Sequence, residues 1–249
     1  MSDRTQRKPL WTSVLYLATR LLLALLARFV FRPVIEGREN IPRHGPVILA
    51  SNHLSFIDSI VIPLVAPRRV VFLAKAEYFE GRGIRGELTR WFFTGLGSVP
   101  VDRGAHRAAQ ASLDAALRVL AAGDAFGIYP EGSRSRDGRL YRGRTGVAWL
   151  ALTARAPVVP VALVGTDGIQ PVGSHLPRIR RVTIRFGTPL HFGPRYGEAR
   201  SAQARRVVTD EIMVAIGELS KQECAGCYND SISPPAKPAE RSGSGIAIG

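Results

Sequence analysis

The sequence predicts an α/β fold, a mixed and mostly parallel sheet flanked by helices, and three observations support that class. The chain has 249 residues, 45% of them hydrophobic, enough to bury one large core but short for a second full domain. From Pro46 onward, short apolar runs alternate with helical stretches, the pattern of strands joined by crossover helices. The runs are apolar throughout, as in strands buried on both faces.

Taken in order, the first stretch, Met1 to Pro33, sets Arg4, Arg7, Lys8, Arg20, Arg28 and Arg32 around an apolar segment from Leu10 to Val30. On a helix, Ser13, Arg20, Ala24 and Arg28 fall near one stripe, while Leu21, Leu22, Leu25, Leu26 and Phe29 cover the rest. The central Arg20 speaks against a cleaved signal peptide and against a simple span, where it would sit at the costly depth of the bilayer. The expectation is an uncleaved, half-buried helix at the cytoplasmic face of the cell membrane; a soluble helix packed on the following domain is the alternative.

Strands are expected at Val47 to Ser51, Val70 to Ala74, Ser98 to Val101, Ala125 to Tyr129, Val158 to Val164 and Val182 to Phe186. Between them, Arg107 to Ala122 places Ala109, Leu113, Ala116, Leu117 and Leu120 on one side at helical spacing, with Gly123 as a stop. Further helices are expected over Gly146 to Arg155, before Pro157, and from Ala202 to Leu219. The core should end near Ser220. Residues 221–249 are expected to be a disordered tail, because from Tyr228 onward they are rich in Ser, Pro and Gly and hold few large apolar residues. The organisation is then residues 1–33, one α/β domain at 34–220, and the tail.

Lys and Arg total 34 against 20 Asp and Glu, a formal +14, and such a field draws phosphate-bearing partners. Its concentration around the apolar N-terminal stretch points to an anionic membrane surface. Nucleic acid is not expected, since no basic groove interleaved with aromatics and no zinc or helix-turn-helix frame is evident. Cys224 and Cys227 form an isolated C-x-x-C with no further pair or histidine to complete a zinc site, so they are read as reduced thiols. No metal is expected.

The strand Val47 to Ser51 runs into Asn52-His53-Leu54-Ser55-Phe56-Ile57-Asp58, placing a histidine at a strand end, where open α/β sheets bind ligands. Five residues apart, His53 and Asp58 would lie about 140° apart on an ideal helix, so a contact needs a bend between them. With a helix starting at Ser55, Asp58 in its first turn reaches back to the imidazole. It would then hold the Nδ1 proton and leave Nε2 to take a proton from an alcohol. Ser55-x-x-Asp58 also reads as a helix N-cap with an acidic third residue, and both readings stand on these residues alone.

Two further stretches end strands in charged residues: Gly97 to Arg103, and Tyr129-Pro130-Glu131-Gly132-Ser133-Arg134-Ser135. Singly, each arginine reads as a solvated surface charge. Together, Arg103, Arg134, Ser133 and backbone donors suit a phosphate monoester, with Gly132 permitting close backbone approach.

These stretches, with Val159-Pro160-Val161, resemble the ordered motifs of the glycerolipid acyltransferases, the 1-acylglycerol-3-phosphate O-acyltransferase family. The resemblance covers about Ile35 to Pro189. N-H-x-x-x-x-D stands as Asn52 to Asp58, and the usual Phe-Pro-Glu-Gly-Thr-Arg-Ser stands as Tyr129 to Ser135, with Tyr for Phe and Ser for Thr. Phe72-Leu73-Ala74-Lys75 shares the likeness. What the resemblance implies is a catalytic pair in His53 and Asp58, substrate binding by Arg103, Glu131, Gly132, Ser133 and Arg134, and a site shaped by Asn52 and Pro160. It implies transfer of an acyl group from acyl-CoA or acyl carrier protein to the hydroxyl of a lysophospholipid, 1-acyl-sn-glycerol-3-phosphate first, in phospholipid biosynthesis. No cofactor is implied. Another lysophospholipid, an aminolipid or a glycolipid acceptor would need the same base. A hydrolase is the rival enzyme, although no G-x-S-x-G elbow is present, and a non-catalytic lipid-binding protein would leave His53, Asp58 and Glu131 without a role.

Overall fold

The computed structural model describes residues 33–75, 98–101, 108–169 and 178–229, with scattered positions from 80 to 94. The expected N-terminal helix lies outside the described residues, as does Arg103. Among the described residues no helix is long and apolar enough to cross a membrane.

A sheet of six strands runs in the order β1-β8-β7-β2-β6-β3, built from β1 (Val34–Glu36), β2 (Val47–Ser51), β3 (Val70–Val71), β6 (Ala125–Ile128), β7 (Val158–Val164) and β8 (Thr183–Phe186). Among the described strands of this sheet the β7–β8 pairing alone is antiparallel; β1–β8, β2–β7, β2–β6 and β3–β6 are parallel. A separate parallel pair joins β4 (Leu73–Lys75) and β5 (Val99–Val101). The helices are α1 (Asp58–Val65), α2 (Ala108–Ala121), α3 (Gly146–Ala154) and α4 (Ala202–Ser220). The expected α/β class with a mostly parallel sheet is the one found.

Strand β2 shows why these residues build a two-sided core. All five of its residues are buried, and successive side chains point to opposite faces. Ile48 and Ala50 join Phe126 and the apolar sides of α2, α3 and α4. Val47 and Leu49 join Val61 and Ile62 of α1 and Val159, Val161 and Leu163 of β7. Each such large aliphatic side chain contributes about 1.5–3 kcal/mol of burial free energy.

Strands β2 and β7 keep their expected bounds, while the expected strand from Val70 divides at Phe72 into β3 and β4. Strand β1 was not foreseen. At α4, Ser201 Oγ accepts the Ala204 N–H at 3.2 Å, a side-chain N-cap, and Lys221 closes the helix in the left-handed region at φ 59°.

The expected tail from residue 221 is corrected over residues 221–229, which pack onto the loop that follows β6. Leu140 N–H donates to Glu223 O at 2.8 Å, Ala225 N–H to Leu140 O at 2.9 Å, and Arg142 N–H to Cys227 O at 2.9 Å. Composition misled there because this segment is held by backbone hydrogen bonds instead of by a large apolar face.

Candidate active site

The adjacent parallel strands β7, β2 and β6 deliver their carboxyl ends to one edge of the sheet, where ligands of open α/β sheets bind. From β2 comes His53, whose Nδ1 lies 2.9 Å from Asp58 Oδ2. The imidazole keeps 16% of its surface exposed while Asp58 is fully buried. Asp58 Oδ2 also accepts the backbone N–H groups of Leu54 and Ser55, each at 2.7 Å. The carboxylate therefore organises the whole turn between strand and helix.

The capping alternative is half realised. Asp58 reaches back to the Ser55 N–H, as the acidic residue of a capping box does. Ser55 Oγ has no partner among the described residues, and the residue at the N-cap position of α1 is Ile57.

Both main-chain groups of His53 are held by the loop after β6. Its N–H donates to Glu131 Oε1 at 3.0 Å, and its carbonyl accepts the Ser135 N–H at 2.8 Å. Glu131 Oε2 accepts the Tyr141 N–H at 2.9 Å. Glu131 is only 1% exposed; burial pushes its carboxyl up to about 7, against the lowering effect of the two backbone hydrogen bonds. Both carboxylate oxygens of Glu131 thus tie the main chain at His53 to the main chain at Tyr141.

Asn52 is likewise internal. Its Oδ1 accepts the Leu163 N–H at 2.8 Å and its Nδ2 donates to Leu163 O at 2.9 Å, so β2 and β7 are locked at their ends. Nδ2 also donates to Gln222 Oε1 at 2.7 Å, and Gln222 Nε2 donates to Gly138 O at 2.7 Å. Asn229 Nδ2 reaches the carbonyls of Ser133 and Arg134 at 3.2 and 3.0 Å. The segment after α4 is thus a strap across the loops at the carboxyl edge of the sheet.

Gly132 has φ 82°, and a Cβ there would come within 2.8 Å of Arg144 Nε, so the close approach expected at Gly132 is made by Arg144. Ser133 and Arg134 are exposed on the same loop. Within it, desolvation of the Asp137 carboxyl is outweighed by hydrogen bonds from Tyr141, Arg139 and Ser135, which hold it well below the usual carboxylate range. Pro160 is buried in β7, register partner of Ala50, and its carbonyl accepts the Gly187 N–H at 2.8 Å; it bears on the sheet and not on the imidazole directly.

Sequence reasoning missed Tyr129, Tyr141, Gln222 and Asn229 as parts of the site. Tyr129 alone carried a signal, its place in the motif.

A carboxylate-oriented imidazole thus stands at the carboxyl edge of a mostly parallel sheet. A family model described as Acyltransferase matches residues 32–164, more than half of the 249 residues, and the chain belongs to that family. It is 33% identical over 159 residues to the chloroplastic 1-acyl-sn-glycerol-3-phosphate acyltransferase LPAT1 of Arabidopsis thaliana, a match covering 63% of this chain and 43% of that protein. A 1-acyl-sn-glycerol-3-phosphate acyltransferase of Bacillus subtilis is 26% identical over 190 residues, 76% of this chain and 88% of that one. The chain spans about half or less of the length of the plant relatives it matches. Its fold is that of the crystal structure of the 1-acyl-sn-glycerophosphate acyltransferase PlsC from Thermotoga maritima, with a TM-score of 0.58, 24% identity, and coverage of 81% of this chain and 82% of that one.

Proposed function

We propose that this protein acylates the free hydroxyl of a lysophospholipid, 1-acyl-sn-glycerol-3-phosphate, to give phosphatidic acid, with acyl-CoA or acyl carrier protein as thioester donor. His53 Nε2 takes the hydroxyl proton as the oxygen attacks the thioester carbonyl. The carbon–sulfur bond then breaks, and the departing thiolate receives the proton from the imidazolium. Asp58 keeps the proton on Nδ1 beforehand and stabilises the positive ring that forms. The proposal includes no cofactor, since the thioester is already activated.

The observation that carries this reading is the 2.9 Å contact between His53 Nδ1 and Asp58 Oδ2 at the strand edge. The names of the relatives support the acceptor, and exposed Arg134 with Ser133 supplies donors suited to its phosphate. Acceptor and product both reside in lipid, so a working position at the cytoplasmic face of the membrane, held by residues 1–33, belongs to the same proposal.

The test offers a panel of lysophospholipid, aminolipid and glycolipid acceptors with labelled acyl-CoA or acyl carrier protein and identifies products by mass. Phosphatidic acid is the expected product. Free fatty acid released at the same rate without acceptor would make the protein a hydrolase. His53→Ala is expected to lower turnover about a hundredfold to ten-thousandfold with folding intact.

A further inference from the structure

We infer that Tyr129 is a positioning residue for the base, its ring face holding the His53 imidazole in place and stabilising the positive charge that develops on it during proton transfer. The inference rests on His53 acting as the base, as proposed above.

The two rings have centroids 3.9 Å apart and planes 9° from parallel. A neutral imidazole gains dispersion from such a stack. An imidazolium gains in addition the attraction of a cation for the negative face of an aromatic ring. As the proposed base, His53 gains positive charge while it takes the hydroxyl proton, so the stack strengthens toward the transition state. An interaction of that kind raises kcat without requiring tighter substrate binding.

Tyr129 is itself held in position. Its hydroxyl lies 3.0 Å from Ser59 Oγ, and Ser59 follows Asp58 on α1. The ring that faces the imidazole is therefore tied to the turn of helix that carries the orienting carboxylate. Phe72 packs against Tyr129 with centroids 5.4 Å apart, and Phe72 has room because residue 127 is glycine: a Cβ there would collide with the Phe72 ring. Desolvation, then the charge of Asp58, holds the Tyr129 phenol well above its ordinary value, so it remains neutral and contributes a ring face, not a proton.

The experiment compares Tyr129→Leu, which removes the ring, with Tyr129→Phe, which keeps it, in the full chain with lysophosphatidic acid and whichever thioester donor the unaltered protein uses. The Leu variant is expected to lose about ten- to thirtyfold in kcat with KM little changed, and Phe at this position to rescue most of that loss. By NMR, the His53 ring protons, shielded over the aromatic face, move downfield in the Leu variant and stay in place in the Phe variant. If Leu prevents cooperative melting, Tyr129→Met provides the same comparison. Equal kcat for the Leu and Phe variants, a loss carried by KM alone, or unchanged His53 resonances in the Leu variant overturns the inference. Full turnover in His53→Ala would instead remove the base, an outcome distinguishable because activity would then not depend on the residue at 129.

Discussion

Asp58 Oδ2 serves His53 Nδ1 and two backbone N–H groups at once, and this determines what an isosteric change does. In Asp58→Asn the amide oxygen can keep those bonds, but the negative charge proposed to stabilise an imidazolium is gone. The amide NH2 then takes the place of Oδ1, which is buried and has no hydrogen-bond partner among the described residues. Turnover is expected to fall about a hundredfold or more at similar KM, with a lowered melting temperature; steady-state kinetics and calorimetry check both.

Glu131 gives a pH signature. Its folded value of about 7 stands above the ordinary 4.5, so between those values the native state binds a proton that the unfolded chain has released. The contribution of this group to stability is therefore greatest below its unfolded value and is lost as pH rises through its folded one. Melting temperature against pH should show that decline in the unaltered protein and a flatter line in Glu131→Gln. The same variant turns an amide NH2 toward the N–H of His53 or Tyr141 and should lower kcat about tenfold. The His53–Asp58 pair was legible in the sequence because its partners lie within one turn of chain. The partners of Glu131 were not, since the imidazole-bearing residue is 78 positions away and no local spacing encodes that bond.

Among the elements, β2 and β7 could be read to the residue because uninterrupted apolar runs with abrupt ends mark doubly buried strands. Strand β1 could not: three residues, Val34–Glu36, are too short to show a period. The division between β3 and β4 reflects Phe72, an apolar residue in an apolar run whose ring turns to Tyr129, a preference invisible to periodicity. The junction of β2 and β7 makes its own prediction. Asn52 is fully buried and satisfies both backbone groups of Leu163, so Asn52→Leu strands a buried donor and acceptor. A loss of about 2–3 kcal/mol is expected, read as a melting-temperature drop of roughly 5–10 °C. Gln222→Leu, which breaks one end of the strap and leaves the strand junction intact, should lower stability less but still reduce kcat.

For the whole molecule, the formal +14 means that the proposed attraction to an anionic surface should depend on ionic strength. Sedimentation with phosphatidylglycerol vesicles should fall steeply as salt rises from about 0.05 to about 0.5 M, and deletion of residues 10–30 should weaken it at every salt concentration. Undiminished binding in that deletion would move the membrane contact elsewhere on the chain. The bond between Asn52 and Gln222 joins positions 170 residues apart, and this has a bearing on biosynthesis. While the ribosome is still translating α4, the loop bearing the imidazole lacks this fastening. Transcripts cut short ahead of Gln222 should yield polypeptides that retain the motif yet remain poor catalysts.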